Sequence, residues 1–311
     1  MPPIPDPAVA SPAPGVRQPD ITAAFAALLI GAVAMGGSVI FVRLADVGPF
    51  TSAFWRVTLA LPFLFLWMSW EDRNMPARPQ VSMKRSLSGA VLLSGLFFAG
   101  DLVFWHLAIL NTSVANATFM ATTAPVLVIL LSGWILREPP GRHAYAGLAL
   151  CLAGGIALLG STLTLQPDKL IGDFYGLVTA VFFAGYFLSV RIARRNAGTA
   201  RVMFYSSSVT SVCLAVMALI AENSFLPAGV TGLLVLIGLA LTAHALGQGL
   251  LTFSLGFLPA AFSSLVIFLE AVAAAAFGWL ILAEALSAAQ FLGGALIMLG
   301  IAQARPRRGK R

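Results

Sequence analysis

Residues Thr118–Gly155 read TFMATTAPVLVILLSGWILREPPGRHAYAGLALCLAGG, and Ser264–Ile301 read SLVIFLEAVAAAAFGWLILAEALSAAQFLGGALIMLGI. At a constant offset of 146 residues, Val126 falls on Val272, Glu138 on Glu284, Gly147 on Gly293 and Gly154 on Gly300. Chance hydrophobicity rarely aligns such a set, so the chain reads as an internal duplication. Each copy is an apolar run of roughly 20 residues, an acidic break and a glycine-rich apolar run, the pattern of two membrane helices joined by a short loop. The competing reading, that any two hydrophobic helix pairs look alike, loses ground as the rest of the chain is read.

Of 311 residues, 59% are hydrophobic and 10% charged, with 29 glycines, and the mean hydropathy is +0.91. A water-soluble domain of this composition would expose too much apolar surface, so an all-α membrane protein is expected. The net charge of +7 does not point to nucleic acid, because the cations lie in short gaps between apolar runs. Cys151 and Cys213 both fall inside apolar runs, away from any CxxC spacing, and read as buried thiols. Residues 1–20 hold seven prolines and few charges, which suits a disordered tail better than a signal peptide.

Runs long enough to cross roughly 30 Å of hydrocarbon fall at 21–42, 50–70, 86–110, 114–136 and 143–159, then at 174–192, 199–221, 231–252, 260–282 and 287–303. The expectation is ten transmembrane helices as two five-helix repeats, 21–160 and 172–303, with a basic tail at 304–311. An odd number of crossings per copy inverts the second repeat relative to the first. The charges agree. With the N-terminus cytoplasmic, 16 of the 19 Lys and Arg residues lie on the cytoplasmic side, Arg43 and Lys169 lie outside, and Arg56 is inside a run. Both ends are therefore expected in the cytoplasm, and the VRLA at Val42–Ala45, repeated as VRIA at Val190–Ala193, extends the duplication to the first and sixth helices.

Three features together resemble the EamA-type drug/metabolite transporters over roughly residues 21–303. They are the stretch from Gly48-Pro49 to Arg56, the spacing from Pro125 to Glu138, and LEAVAAAAFGWLILAE at Leu269–Glu284. The chain departs from the family pattern at Ala271, where many relatives carry proline after the glutamate, so a kink there is not carried over. The resemblance implies a secondary transporter of a bacterial inner membrane. It looks most like bacterial exporters of amino acids and related metabolites, including aromatic amino-acid exporters of the YddG type. A lipid bilayer and a small-molecule substrate are the expected partners, with a monomer or weak dimer as the assembly and proton coupling as one way of driving transport. No cofactor and no metal site are expected.

Ionisable groups inside a membrane cost about 2.5–3.5 kcal/mol each on insertion scales, so Arg56, Asp101, His244 and Glu270 call for a reason. Asp101 and His244 occupy matching positions of the third and eighth runs at an offset of 143. Asp101 shares a helical face with Phe97, Phe98, Phe104 and Trp105, a face suited to a ring and an ammonium together. The alternative is an Asp paired with Arg56 or with a backbone donor to lock helices. His244 lies one turn from Gln248, as a proton carrier or as a hydrogen-bonded core histidine. Glu270 shares a face with Ser263, and Tyr186 stands in an aromatic stripe with Phe182, Phe183 and Phe187. The candidate substrate-binding residues are thus Asp101, Trp105, His244, Glu270, Arg56, Tyr186 and Gln248. Pro125, Gly37 and Gly185 are candidate hinges, with Thr118 and Thr122 placed to satisfy the carbonyl of Ala121 that Pro125 leaves free. Glu138 and Glu284, at helix ends, are read as capping groups. HExxH, a P-loop and GxSxG are all absent, so no catalytic residues are expected. The classes in play are a carrier of amino acids with aromatic or large neutral side chains, a general drug/metabolite exporter, a channel, and a membrane enzyme.

Overall fold

A computed structural model describes residues 21–74, 88–160, 167–283 and 285–305. The proline-rich segment 1–20, the cations Arg78, Lys84, Arg85, Arg307, Arg308, Lys310 and Arg311, and Glu284 lie outside the described residues. The described residues fold as helices and contain no strand. Nine are long and apolar enough to cross a membrane: α1 (Ile21–Leu44), α2 (Pro49–Asn74), α3 (Gly89–Asn111), α4 (Asn116–Leu136), α5 (Arg142–Leu159), α6 (Pro167–Asn196), α7 (Thr199–Ala221), α8 (Val230–Leu255) and α9 (Ala260–Ile281). A further apolar helix, α10 (Ala288–Ala304), has 17 residues.

The helices lie where the apolar runs place them, with one large difference. α6 extends past both ends of its run because the charges that end the hydropathy signal find partners within the bundle. Asp173 accepts from the Thr112 hydroxyl (2.8 Å) and the Asn116 amide (2.9 Å). Arg194 reaches the carbonyls of Thr252 and Ala197, and Arg195 that of Leu136.

Large apolar side chains such as Leu130, Trp134, Phe291 and Leu299 point outward, whereas many hydroxyls point inward, Thr51, Ser94, Ser206, Ser207, Thr210 and Ser254 among them. With lipid outside, apolar burial does not drive helix association, and small residues and interhelical hydrogen bonds take over. Ser94 bonds Ser206 at 3.1 Å, Thr210 bonds the Gly95 carbonyl at 2.9 Å, and Ser254 bonds the Ala24 carbonyl at 2.8 Å. α5 and α10 pack through glycines. A Cβ on Gly147 would lie 2.6 Å from the Gly300 carbonyl oxygen, and one on Gly154 would lie 2.7 Å from that of Gly293. Gly147 thus meets Gly300, and Gly154 meets Gly293, at close approach.

The pairings follow one scheme. α3 packs on α6 and α8 on α1; α4 packs on α6 and α9 on α1; α2 faces α7 and α5 faces α10. Each relation maps onto another, or onto itself, when helix number i is exchanged with i+5. α4 and α9 also end alike: Arg137 (φ 59°) and Ala283 (φ 54°) are left-handed and donate to the carbonyls of Ser132 and Gly278, five residues back.

Five spanning helices are interrupted. Gly37 separates Ile21–Gly36 from Ser38–Leu44, and Leu59 and Ala60 separate Pro49–Thr58 from Leu61–Asn74. α4 breaks at Thr122 and Thr123, just before Pro125, and closes in a π turn at Ser132–Leu136. α8 contains a π-helical segment, Ala240–Gln248, and α9 breaks at Val266. The expected compensation at Pro125 is corrected. The hydroxyls of Thr122 and Thr123 donate to the carbonyls of Phe119 (2.7 Å) and Met120 (2.6 Å), not to that of Ala121. By contrast α6 runs unbroken through Gly185, where the missing side chain makes room for the Phe97 ring, 2.6 Å from where a Cβ would stand. Packing, not a bend, explains that glycine.

Candidate functional site

The candidate site forms where α2, α3, α6, α8 and α9 bring their interrupted or polar stretches together. The first segment of α2 starts at Pro49, whose missing amide costs nothing at a helix start, and carries Arg56 in its last turn. Arg56 is partly buried, and its Nε is shielded with no hydrogen-bond partner. Glu270, Asp101 and Tyr186 lie within its electrostatic range, as does His244. Yet no ion pair within 4.0 Å joins Arg56 to either carboxylate among the described residues. The helix-locking Asp101–Arg56 pair is therefore not made.

Asp101 is buried on α3, three residues after Phe98. Phe98 ties the aromatic side of the site together: its ring lies 4.9 Å from Tyr186 and stacks on His244 at 5.6 Å and 28°. Tyr186 donates its hydroxyl proton to Oε1 of Gln248 at 3.2 Å, with Thr252 Oγ1 at 3.5 Å. His244 meets Ser207 Oγ through Nε2 at 2.8 Å, while Nδ1 is buried without a partner. His244 and Gln248 both belong to the π-helical segment, and such segments concentrate at functional sites because the widened turn re-aims side chains and loosens the backbone ladder. The break at Val266 places Glu270 in the first turn of the second α9 segment, where the positive end of the helix dipole favours a carboxylate. Ser263, in the segment before the break, is fully buried with an unpartnered hydroxyl.

The structure thus brings Arg56, Asp101, Tyr186, His244, Gln248 and Glu270 into one neighbourhood. Trp105 makes its ring contact edge-on with His106 at 5.0 Å and makes none with the Phe98–Tyr186–His244 group among the described residues. The phenylalanine stripe on α3 divides: Phe98 faces the site, whereas Phe97 and Phe104 pack on Phe182 of α6. No cluster of three or more His, Cys, Asp or Glu that could hold a metal occurs among the described residues.

The EamA-like transporter family matches residues 22–160 and again 170–304. The chain belongs to this family. Among relatives, it is 28% identical over 236 residues to the pseudopaline exporter CntI of Pseudomonas aeruginosa, covering 74% of this chain and 79% of the exporter. It is 27% identical over 283 residues to an uncharacterized transporter of Archaeoglobus fulgidus, covering 89% and 94% of the two chains. One crystal structure, 21% identical, superposes with a TM-score of 0.73 over 91% of this chain and 95% of its own, and so shares the fold. This EamA protein is a multi-pass membrane transporter, and the membrane-enzyme reading falls away.

Ser207 and Thr252 of this EamA chain were not among the expected site residues, and Glu138 was expected only as a cap. A signal for the first was present: Ser206–Ser211 reads SSSVTS, an unusual density of hydroxyls for a spanning helix. Glu138, read as a cap, accepts from Arg191 Nε (2.9 Å) and from Arg195 (3.2 Å), while Arg191 also reaches the Leu255 carbonyl (2.6 Å). Glu138 thus fastens the end of α4 to α6, and Arg191 fastens α6 to α8.

Proposed function

We propose that this EamA transporter exports small amphiphilic zwitterions, first among them amino acids with aromatic or large neutral side chains. The transport mode is alternating access between two inverted five-helix repeats, in a bacterial inner membrane with both termini cytoplasmic. The observation that carries the reading is Arg56: a guanidinium at interior depth, near two carboxylates but paired with neither, beside a stack of Phe98, Tyr186 and His244. A shielded guanidinium nitrogen without a partner is costly, and a substrate carboxylate would supply one. Asp101 or Glu270 would then meet the ammonium, and the aromatic stack and Trp105 the side chain, with His244 and Gln248 supplying polar contacts. The helix pairings that persist on exchanging i with i+5, and the matched left-handed ends of α4 and α9, support the inverted repeat. The interruptions at Gly37 and before Pro125 support those two positions as hinges; Gly185 is left out.

The test is counterflow in liposomes containing the purified protein, loaded on one side with aromatic, aliphatic or charged amino acids, with and without a pH gradient. Saturable exchange of aromatic amino acids that weakens in Asp101→Asn and Trp105→Ala is expected. Equal transport of neutral, non-zwitterionic solutes, untouched by those substitutions, would sink the amino-acid reading. The second reading, a general metabolite exporter, is favoured by the likeness to the pseudopaline exporter. The same liposomes separate the two if larger polar metabolites outcompete amino acids.

A further inference from the structure

α2 and α7 run antiparallel, and each is capped at its start by a carboxylate from the end of the other. Glu222, just past the last turn of α7, accepts from the amides of Phe50 (2.7 Å) and Thr51 (3.0 Å) in the first turn of α2. Glu71, in the last turn of α2, accepts from the amides of Thr199 (3.1 Å) and Ala200 (2.9 Å) in the first turn of α7. The first amides of a helix have no partner within it and carry the positive end of its dipole, so an anion there satisfies both. Neither helix supplies its own cap. Both begin after a glycine, Gly48 and Gly198, with no side-chain hydrogen bond of its own. The glycines also make the space: a Cβ on Gly48 would lie 2.3 Å from the Glu222 carboxylate, and one on Gly198 would lie 2.5 Å from that of Glu71.

The same device therefore occurs twice, at opposite ends of one helix pair. Each has secondary ties: Trp55 Nε1 donates to the Phe225 carbonyl at 2.8 Å at the first, and Arg201 meets Asp72 at 2.7 Å at the second. Midway between them, Thr58 and Ser211 share a hydrogen bond of 2.6 Å, next to the break of α2 at Leu59 and Ala60. Each half of α2 is thus held by its own carboxylate, and the half held by Glu222 carries Arg56.

We propose that Glu71 and Glu222 are opposed gate latches: each closes one end of the α2–α7 pair, both are closed in this structure, and the transport cycle opens them one at a time. The proposal rests on the alternating-access reading above. Releasing Glu222 frees the helical segment that bears Arg56, which couples the state of that gate to the candidate site. Neutral glutamine can still accept a hydrogen bond but loses the charge that the helix start attracts, so it weakens a latch without emptying the space.

The test uses the full chain in lipid nanodiscs, with Cys151 and Cys213 replaced by alanine, and two spin-label pairs at exposed sites. Leu44 with Asn223 reports the Glu222 end, and Asn74 with Asn196 reports the Glu71 end. Glu222→Gln is expected to add a longer-distance population to the first pair alone, and Glu71→Gln to the second pair alone. Gly48→Ala and Gly198→Ala, which evict the carboxylates sterically, should reproduce the respective shifts and serve if a glutamine variant does not fold. If a substitution lengthens both distances, or none of the four moves either, the latch assignment is wrong. The distances need no substrate, so failure of amino-acid counterflow would overturn the substrate reading and leave this one standing.

Discussion

Nε2 of His244 lies 2.8 Å from the hydroxyl of Ser207, and the opposite nitrogen of the same buried ring has no partner. One side of the imidazole is thus anchored to α7, while the other retains an unused hydrogen-bonding position. Ser207→Ala is expected to lower stability by about 1–3 kcal/mol, the cost of leaving a buried polar group unsatisfied. Thermal unfolding in nanodiscs measures it, and an unchanged midpoint would mean that the ring is held by Phe98 stacking alone.

Arg56 makes no ion pair that a substitution could break, so its removal should affect transport without affecting the fold. Arg56→Lys is expected to raise KM at least about tenfold, equivalent to roughly 1.4 kcal/mol, because an ammonium lacks the planar fork that grips a carboxylate. Arg56→Gln should melt at or above the wild-type temperature. A clear drop in melting temperature with normal KM would make Arg56 structural.

The Glu138–Arg191 pair, with side-chain exposures of 24% and 17%, is shielded enough to contribute measurably. A double-mutant cycle with Glu138→Gln and Arg191→Gln should give a coupling of about 1–3 kcal/mol. A value near zero would show that the Leu255 carbonyl, not the ion pair, holds Arg191.

Arg137 and Ala283 both carry a side chain in left-handed backbone, a conformation that costs about 1–2 kcal/mol outside glycine. Arg137→Gly and Ala283→Gly are each expected to stabilise the protein by roughly 0.5–1 kcal/mol, read as a rise in melting temperature. A fall in either would mean that the side chain holds the helix end by other contacts.

Gly154→Ala should cost about 1–3 kcal/mol through overpacking, since the added carbon would meet the Gly293 carbonyl and the Ile297 side chain. Gly141→Ala, where nothing lies within 4 Å of the added carbon, is the control and should be close to neutral.

The apolar runs and the 146-residue repeat were legible in the sequence, the runs because the bilayer imposes one length and one polarity on every span. So was the glycine-rich character of α5 and α10. The individual ionisable candidates could also be named, since each is costly at that depth. What only the tertiary structure decided is which of them meet. The absent Arg56–Asp101 pair and the split of the phenylalanine stripe depend on helix rotation, and an apolar exterior in lipid leaves rotation unspecified by hydrophobicity. The π segment around His244 and the break at Val266 contain no proline that would mark them in the sequence. The reciprocal caps of Glu71 and Glu222 are of the same kind: a glutamate at a helix end reads as solvated until another helix presents its unsatisfied amides to it.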